Sequence, residues 1–364
     1  MKNLKKILPK LIIFIVISIV VIIVLFSLND ITEIGKVLNN VDWTWLSFGF
    51  LFLLLYMLFN PLSLAMLGRS KEEGNISFID SATIGTMEYF FNGITPFSSG
   101  GQPFQIYAYN KVGVSLHRSS GIILMNFVVS QISIVLLCLL SLFYFEQLTN
   151  GVGYLQVMIV VGLIINVVIL TIFCSVGCSK TLRGLLFRFV DWFFNLKIFK
   201  GKLVRFITSF ESYCEGAQRT FKTLLQQKGK FLLCILAKLL ALLSYYSIPF
   251  FILRALGIGV TISELPLILA MTTFSIAMTC YIPTPGSAGG IEFAFQSLFV
   301  TLLPTISSSI AASGVLLWRL ITYYLLMLIS FITYLIFEEI IARRYKKHHP
   351  HQEEPNLVED TEQS

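Results

Sequence analysis

Runs of about 20 apolar residues, the length a helix needs to cross ~30 Å of hydrocarbon, recur along this chain. Six are legible, at roughly 11–28, 44–67, 120–145, 154–176, 231–252 and 311–337. Hydrocarbon offers backbone amides and carbonyls no partner, so each run is predicted to form a helix that satisfies its own backbone. Composition agrees: 55% of residues are hydrophobic and 13% charged, about half the ~25% charge of a soluble domain. A water-soluble fold is excluded. The run at 11–28 follows Lys2, Lys5, Lys6 and Lys10, as in a signal peptide. It is longer than a typical apolar signal region and no small-residue cleavage pattern follows, so it reads as a retained first helix.

The connecting segments carry an orientation. Residues 177–230 hold eleven Lys/Arg against three acids, and the N-terminus and Arg343-Arg344-Tyr345-Lys346-Lys347 are also basic. Segments 29–42 and 146–153 are poor in basic residues. Basic loops stay on the cytoplasmic side, which places both termini and 177–230 inside and requires an even number of spans. Residues 1–340 therefore read as one polytopic membrane domain and 341–364 as a cytoplasmic, disordered tail. Within 180–228, Leu182, Leu185, Phe189, Trp192 and Phe206 interleave with Arg183, Arg188, Lys197 and Arg205. That pattern predicts helices lying in the cytoplasmic interface. Nucleic-acid binding is the rival for a basic aromatic stretch, and it is set aside because no nucleic-acid-reading module is present.

Two further hydrophobic stretches, 79–110 and 264–303, are each interrupted at the middle. The first contains Asn92-Gly93-Ile94-Thr95-Pro96-Phe97-Ser98-Ser99-Gly100-Gly101-Gln102-Pro103-Phe104. The second contains Pro283-Thr284-Pro285-Gly286-Ser287-Ala288-Gly289-Gly290-Ile291-Glu292-Phe293. Aligned on Thr-Pro they share six of ten positions at an offset of 189 residues. Irregular backbone at membrane depth must be buried in protein or line a wet cavity. The loop charges put the two stretches on opposite sides, so they are expected to form re-entrant hairpins related as an inverted repeat. If the hairpins cross the membrane, the spans number eight. Broken helices at a repeat interface mark a transporter's binding site. The free amides of each interrupted helix would suit an anionic group. Asn92, Pro96, Ser98, Gly100, Gly101 and Gln102 are the candidates from the first hairpin. Pro285, Ser287, Gly289, Gly290 and Glu292 are those from the second.

Four ionisable residues fall inside apolar stretches: Glu88, Lys238, Glu292 and Arg319. A charge at the bilayer centre costs at least ~2.5–3.5 kcal/mol, which makes each a functional candidate. Lys238 lies about 12 Å into its helix at 1.5 Å per residue, within partial reach of the surface. Arg319 has two readings, an ion pair with Glu292 and a bidentate hold on a lipid phosphate, and the two can alternate. Glu88 is a candidate proton or headgroup site, with a pair to Lys111 as its structural alternative. No metal-ligand cluster, cofactor fingerprint or nucleophile–base pair is legible, so no catalytic residue, metal or cofactor is assigned. Cys174 and Cys178 read as packing residues.

The sequences NGITPFSSGGQPFQIYAYNKVGVS (92–115), PTPGSAGGIEFAF (283–295) and WRLITYYLLMLIS (318–330) resemble the membrane domain of the lysylphosphatidylglycerol synthase/flippase family, over roughly 10–340. The resemblance implies a bacterial plasma-membrane protein that moves an anionic or aminoacylated phospholipid, or another lipid-linked substrate, between leaflets. Relatives that also synthesise lysylphosphatidylglycerol carry a soluble aminoacyltransferase domain. Only 27 residues follow position 337 here, so the stand-alone form is expected, with a separate soluble synthase as a candidate partner. The enzyme alternative is phosphatidylglycerol lysyltransferase, or a membrane subunit of one, acting in lipid metabolism and cationic-peptide resistance. Relatives place an Arg shortly after the first Gly pair, where this chain has Gln102 and Gln105.

Overall fold

The computed structural model describes residues 39–69, 76–179, 181, 184, 218–279, 282–302 and 308–348. Every regular element among them is helical, as the self-satisfied backbone of a membrane span requires. The protein is an all-α integral membrane protein.

The first half runs through α1 (Trp43–Gly68), α2 (Phe78–Ile94), a 3-10 turn at Pro96–Ser98, α3 (Gly101–Lys111) and α4 (Leu116–Ser141). Short α5 (Phe145–Thr149) leads into α6 (Gly153–Cys178). The second half repeats the plan with α7 (Lys228–Ala255), α8 (Leu265–Thr279), a 3-10 turn at Pro285–Ser287, α9 (Gly290–Leu302) and α10 (Ser308–Arg319). A π-helical segment, Leu320–Leu325, joins α10 to α11 (Leu326–His348).

Local chemistry explains the ends. Asp42 starts α1 by accepting a hydrogen bond from the Thr44 amide at 2.8 Å, satisfying one of the donors a helix start leaves free. Proline interrupts the hydrogen-bond ladder inside both α1 (Pro61) and α7 (Pro249). These prolines are 188 residues apart, close to the offset between the hairpins.

Packing shows how the halves relate. Helix α1 lies along α7, and the first 3-10 turn packs on the second. The first arm of each hairpin packs against the last helix of the other half, α2 on α11 and α8 on α4. Contacts between corresponding elements, and reciprocal exchange between the rest, are what a two-fold relation produces. Two apolar cores follow. One surrounds the second hairpin with Met271, Phe274, Phe295, Phe299 and Trp318. The other surrounds the first with Met87, Phe90, Tyr109, Met125 and Phe331.

Six helical stretches are long and apolar enough to span a membrane: Trp43–Gly68, Leu116–Thr149, Gly153–Ser175, Lys228–Ala255, Ile262–Thr279 and Ile310–Ile341. Five correspond to runs expected from the sequence. Ile262–Thr279 belongs instead to the first arm of the second broken stretch, while the expected span at 11–28 lies outside the described residues. Outward-facing Val157, Val160, Val161, Ile164 and Val168 on α6 have the surface expected of a helix in contact with lipid tails. Most of the interfacial segment 180–228 and of the tail 341–364 also lies outside the described residues.

Candidate functional site

Each hairpin bends at Thr-Pro, and the two bends share one backbone path from the threonine to the serine three residues on. Thr95 has φ −112 and ψ 147, and Thr284 has φ −111 and ψ 150. The residues after the prolines turn left-handed: Phe97 at φ 57 and ψ 15, Gly286 at φ 58 and ψ 24. Ser98 and Ser287 follow at φ 49 and 54. Left-handed conformations in consecutive residues are unfavourable outside glycine, so this correspondence carries the sequence repeat into the backbone.

Side chains from the hairpins close both breaks. Thr95 Oγ1 accepts from the Gly100 amide at 2.8 Å, and Asn92 Oδ1 accepts from the Gly101 amide at 2.8 Å. In the second hairpin, Glu292 Oε2 accepts from the Gly289 amide at 2.7 Å, and Thr284 Oγ1 donates to the Ala288 carbonyl at 2.8 Å. The sequence expectation of free amides is thus not met at Gly100, Gly101 and Gly289, because capping side chains three to nine positions away reach them first. Close approach explains Gly101 and Gly290. A Cβ on Gly101 would stand 2.6 Å from Asn92 Oδ1, and one on Gly290 would overlap the Ile282 side chain.

Arg319 reaches the second bend from the end of α10. Its Nε donates to Glu292 Oε1 at 2.6 Å and its Nη2 donates to the Gly286 carbonyl at 3.0 Å. Both partners of this ion pair are buried. The guanidinium also lies 4.9 Å from the Tyr323 ring centroid and 5.7 Å from that of Trp318, an arrangement that favours a desolvated cation. Nη1 makes no hydrogen bond among the described residues. Tyr323 crosses to the other half, where its hydroxyl donates to the Gly93 carbonyl at 2.9 Å. The π-helical segment supplies this reach. Such bulges are frequent at functional sites, and here one places Arg319 and Tyr323 on the two bends at once. Ser287 is buried in the same junction, while Pro96 and Phe97 are exposed.

A second charged cluster lies on the first hairpin. Glu88 Oε1 accepts from Asn60 Nδ2 at 3.0 Å, and Glu88 Oε2 accepts from Gln105 Nε2 at 2.9 Å. The Lys238 ammonium donates to Asn60 Oδ1 at 2.6 Å. One carboxamide thus joins carboxylate to ammonium, and Asn60 Nδ2 also donates to the Tyr89 hydroxyl at 2.5 Å. Glu88 therefore does not pair with Lys111, whose ammonium lies 5.3 Å over the Tyr107 ring. Lys238 is only 4% exposed and does not snorkel, because Asn60 offers an acceptor inside.

Comparison with known proteins bears on what these bends belong to. The profile of the lysylphosphatidylglycerol synthase transmembrane region matches residues 11–330. The chain belongs to this family. It is also similar to an uncharacterized protein of Mycoplasma genitalium, 24% identical over 357 residues, covering 93% of this chain and 90% of that protein.

Within this family member, the sequence-proposed residues fall in two groups. Pro96 and Ser98 lie in the turn that packs on the turn holding Pro285 and Ser287, Asn92 caps Gly101 beside Gly100, and Glu292 caps Gly289 ahead of Gly290 while it pairs with Arg319. Gln102 stands half-buried in the first turn of α3, and Gln105 and Glu88 belong to the second cluster. Sequence reading missed Asn60 and Tyr323. Asn60 had a signal, a lone carboxamide in the middle of an apolar run. Tyr323 had none, because its role depends on the π-helical register.

Proposed function

We propose that this chain is a lipid translocase that moves an anionic or aminoacylated phospholipid, or a related lipid-linked substrate, across a bacterial plasma membrane with both termini cytoplasmic. The observation that carries the reading is Arg319. It is a buried guanidinium held on the second of the two matching bends by one carboxylate and one carbonyl, next to Tyr323, which bonds to the first hairpin. Phosphate has the geometry to take the place of Glu292 on Nε and to share the neighbouring Nη2 of the same fork. Binding would release Glu292 and the Gly289 amide it caps, loosening the second bend only when a headgroup is present. A ligand that favours one arrangement of a two-state hairpin shifts its population, which is the basis of alternating access. Membership in a lipid-handling membrane family supports the same reading, and a separate soluble synthase is the partner it suggests.

The test is leaflet exchange of fluorescent phosphatidylglycerol and lysylphosphatidylglycerol in vesicles containing the purified chain. Wild type should move at least one of them, and Arg319→Ala should reduce the rate by about tenfold or more, the loss of one charge-assisted contact. Equal rates for wild type and Arg319→Ala would refute the assignment. Lysyl-lipid formed from lysyl-tRNA by the chain alone would point to the transferase instead.

A further inference from the structure

We propose that Glu88 is a proton-binding site, and that its proton uptake and release are coupled to lipid movement. The proposal rests on the translocase reading for its coupling, though not for the site.

The two buried charge centres differ in kind. Arg319 touches Glu292 directly at 2.6 Å, and a guanidinium does not shed its proton in a protein, so that centre keeps its cation. At Glu88 the counter-charge is a lysine, which can lose a proton when buried, and it stands one carboxamide away behind Asn60. A carboxylate in low dielectric with only indirect compensation is a group that one proton can neutralise.

Gln105 supplies the second, independent observation. It is 1% exposed; its Nε2 donates to Glu88 Oε2, and its Oε1 is buried with no partner. That orphan is the acceptor a protonated Glu88 requires. When a proton arrives on Glu88 Oε2, rotation of the carboxamide presents Gln105 Oε1 to the new O–H, and the bond is kept with its direction reversed. Gln105 serves both protonation states equally, so neither is penalised by a lost partner at this oxygen.

The position ties this chemistry to the hairpin. Glu88 is on α2 and Gln105 on α3, the two arms of the first bend, while Asn60 and Lys238 belong to α1 and α7. The titratable and charged groups facing Glu88 are Lys238 from α7, Tyr89 from α2 and Tyr56 from α1. Tyr245 lies beyond them, its ring 4.7 Å from that of Tyr56 and its phenol beside Arg319. Phenols therefore line the interior between the two charge centres. The ionised state binds Asn60 through Oε1 and Gln105 through Oε2. Protonation keeps the bond to Gln105 and weakens the one to Asn60, freeing the hairpin from α1 and, through Asn60, from α7.

The experiment uses the whole chain in vesicles of phosphatidylcholine and phosphatidylglycerol, with a lumenal pH dye and fluorescent phosphatidylglycerol as probes. Wild type should carry protons, and its lipid exchange should change by up to about tenfold per unit of imposed pH, the slope of a single site. Glu88→Gln should abolish the proton flux and flatten the pH profile. Glu88→Asp, which keeps a carboxyl, should retain both. Lipid exchange indifferent to pH without proton flux would overturn the proposal and leave the translocase standing. An unchanged profile in Glu88→Gln would overturn it as well. Glu88-dependent proton flux without lipid exchange would support the site while refuting translocation.

Discussion

Pairing is what lets Arg319 lie 3% exposed within the protein. Its partners are one carboxylate and one carbonyl, and removing the carboxylate alone would leave a buried, uncompensated cation. Breaking such a pair from one side costs about 3–5 kcal/mol, whereas replacing both partners by apolar groups of similar volume is often neutral. Glu292→Ala should therefore lower the unfolding midpoint in detergent markedly, and the double variant Glu292→Leu with Arg319→Met should recover most of it. The recovered protein should still fail to move lipid. Restored transport together with restored stability would show that the pair is structural only. At this scale the sequence was informative about charge and about one pairing, Glu292 with Arg319, which was one of its two readings for that arginine. Arg319 and Glu292 stand out because an ion at membrane depth needs a reason. For Glu88 the sequence left a pair with Lys111 open as one alternative, and Asn60 and Gln105, which hold it, carry no charge to announce themselves.

At the scale of the element, the two bends match in backbone from Thr95 to Ser98 and Thr284 to Ser287 and part at the next residue, Ser99 at φ −101 and ψ −6 against Ala288 at φ −58 and ψ 140. Phe97 and Gly286 occupy equivalent left-handed positions, a conformation that costs roughly 1–2 kcal/mol for a residue with a Cβ. Phe97 is also 53% exposed, so little buried packing offsets that cost. Phe97→Gly should stabilise the protein by about 1 kcal/mol. Gly286→Ala should destabilise it by at least as much, because the added Cβ would collide with the Tyr323 ring. Thermal unfolding of the pair in detergent checks the signs, and equal effects from both would contradict the shared geometry. The repeat itself was readable from T-P-x-S-x-G-G-x-x-F, since proline and paired glycines name the places where a helix cannot continue. The caps were harder to see. Thr95 and Asn92 reach amides five and nine residues ahead, a distance that depends on how tightly the bend closes. The π-helical turn at Leu320–Leu325 has no proline or glycine to mark it, and it decides where Tyr323 points.

For the molecule as a whole, reciprocal packing of α2 on α11 and α8 on α4 makes the two halves interdependent. A movement that loosens one hairpin must be felt by the last helix of the other half. Tyr323 is one such link, since it belongs to the second half and bonds to Gly93 in the first, and Ser330, which accepts from the Phe90 amide, is another. The all-α membrane fold was legible because apolar length and self-satisfied backbone leave few alternatives. Counting spans was less secure: Ile262–Thr279 is both a hairpin arm and long enough to cross, and length alone does not separate these roles. The central claim is that the two bends form one headgroup site opened alternately to either side. It is tested most directly by placing a single cysteine at Ser98, in a chain whose six native cysteines are replaced. Labelling with a membrane-impermeant maleimide is then measured from each side of sealed vesicles. The account predicts labelling from both sides in a lipid-moving population, and from one side only when Arg319→Ala arrests the cycle. Labelling confined to a single side in the active protein would contradict it.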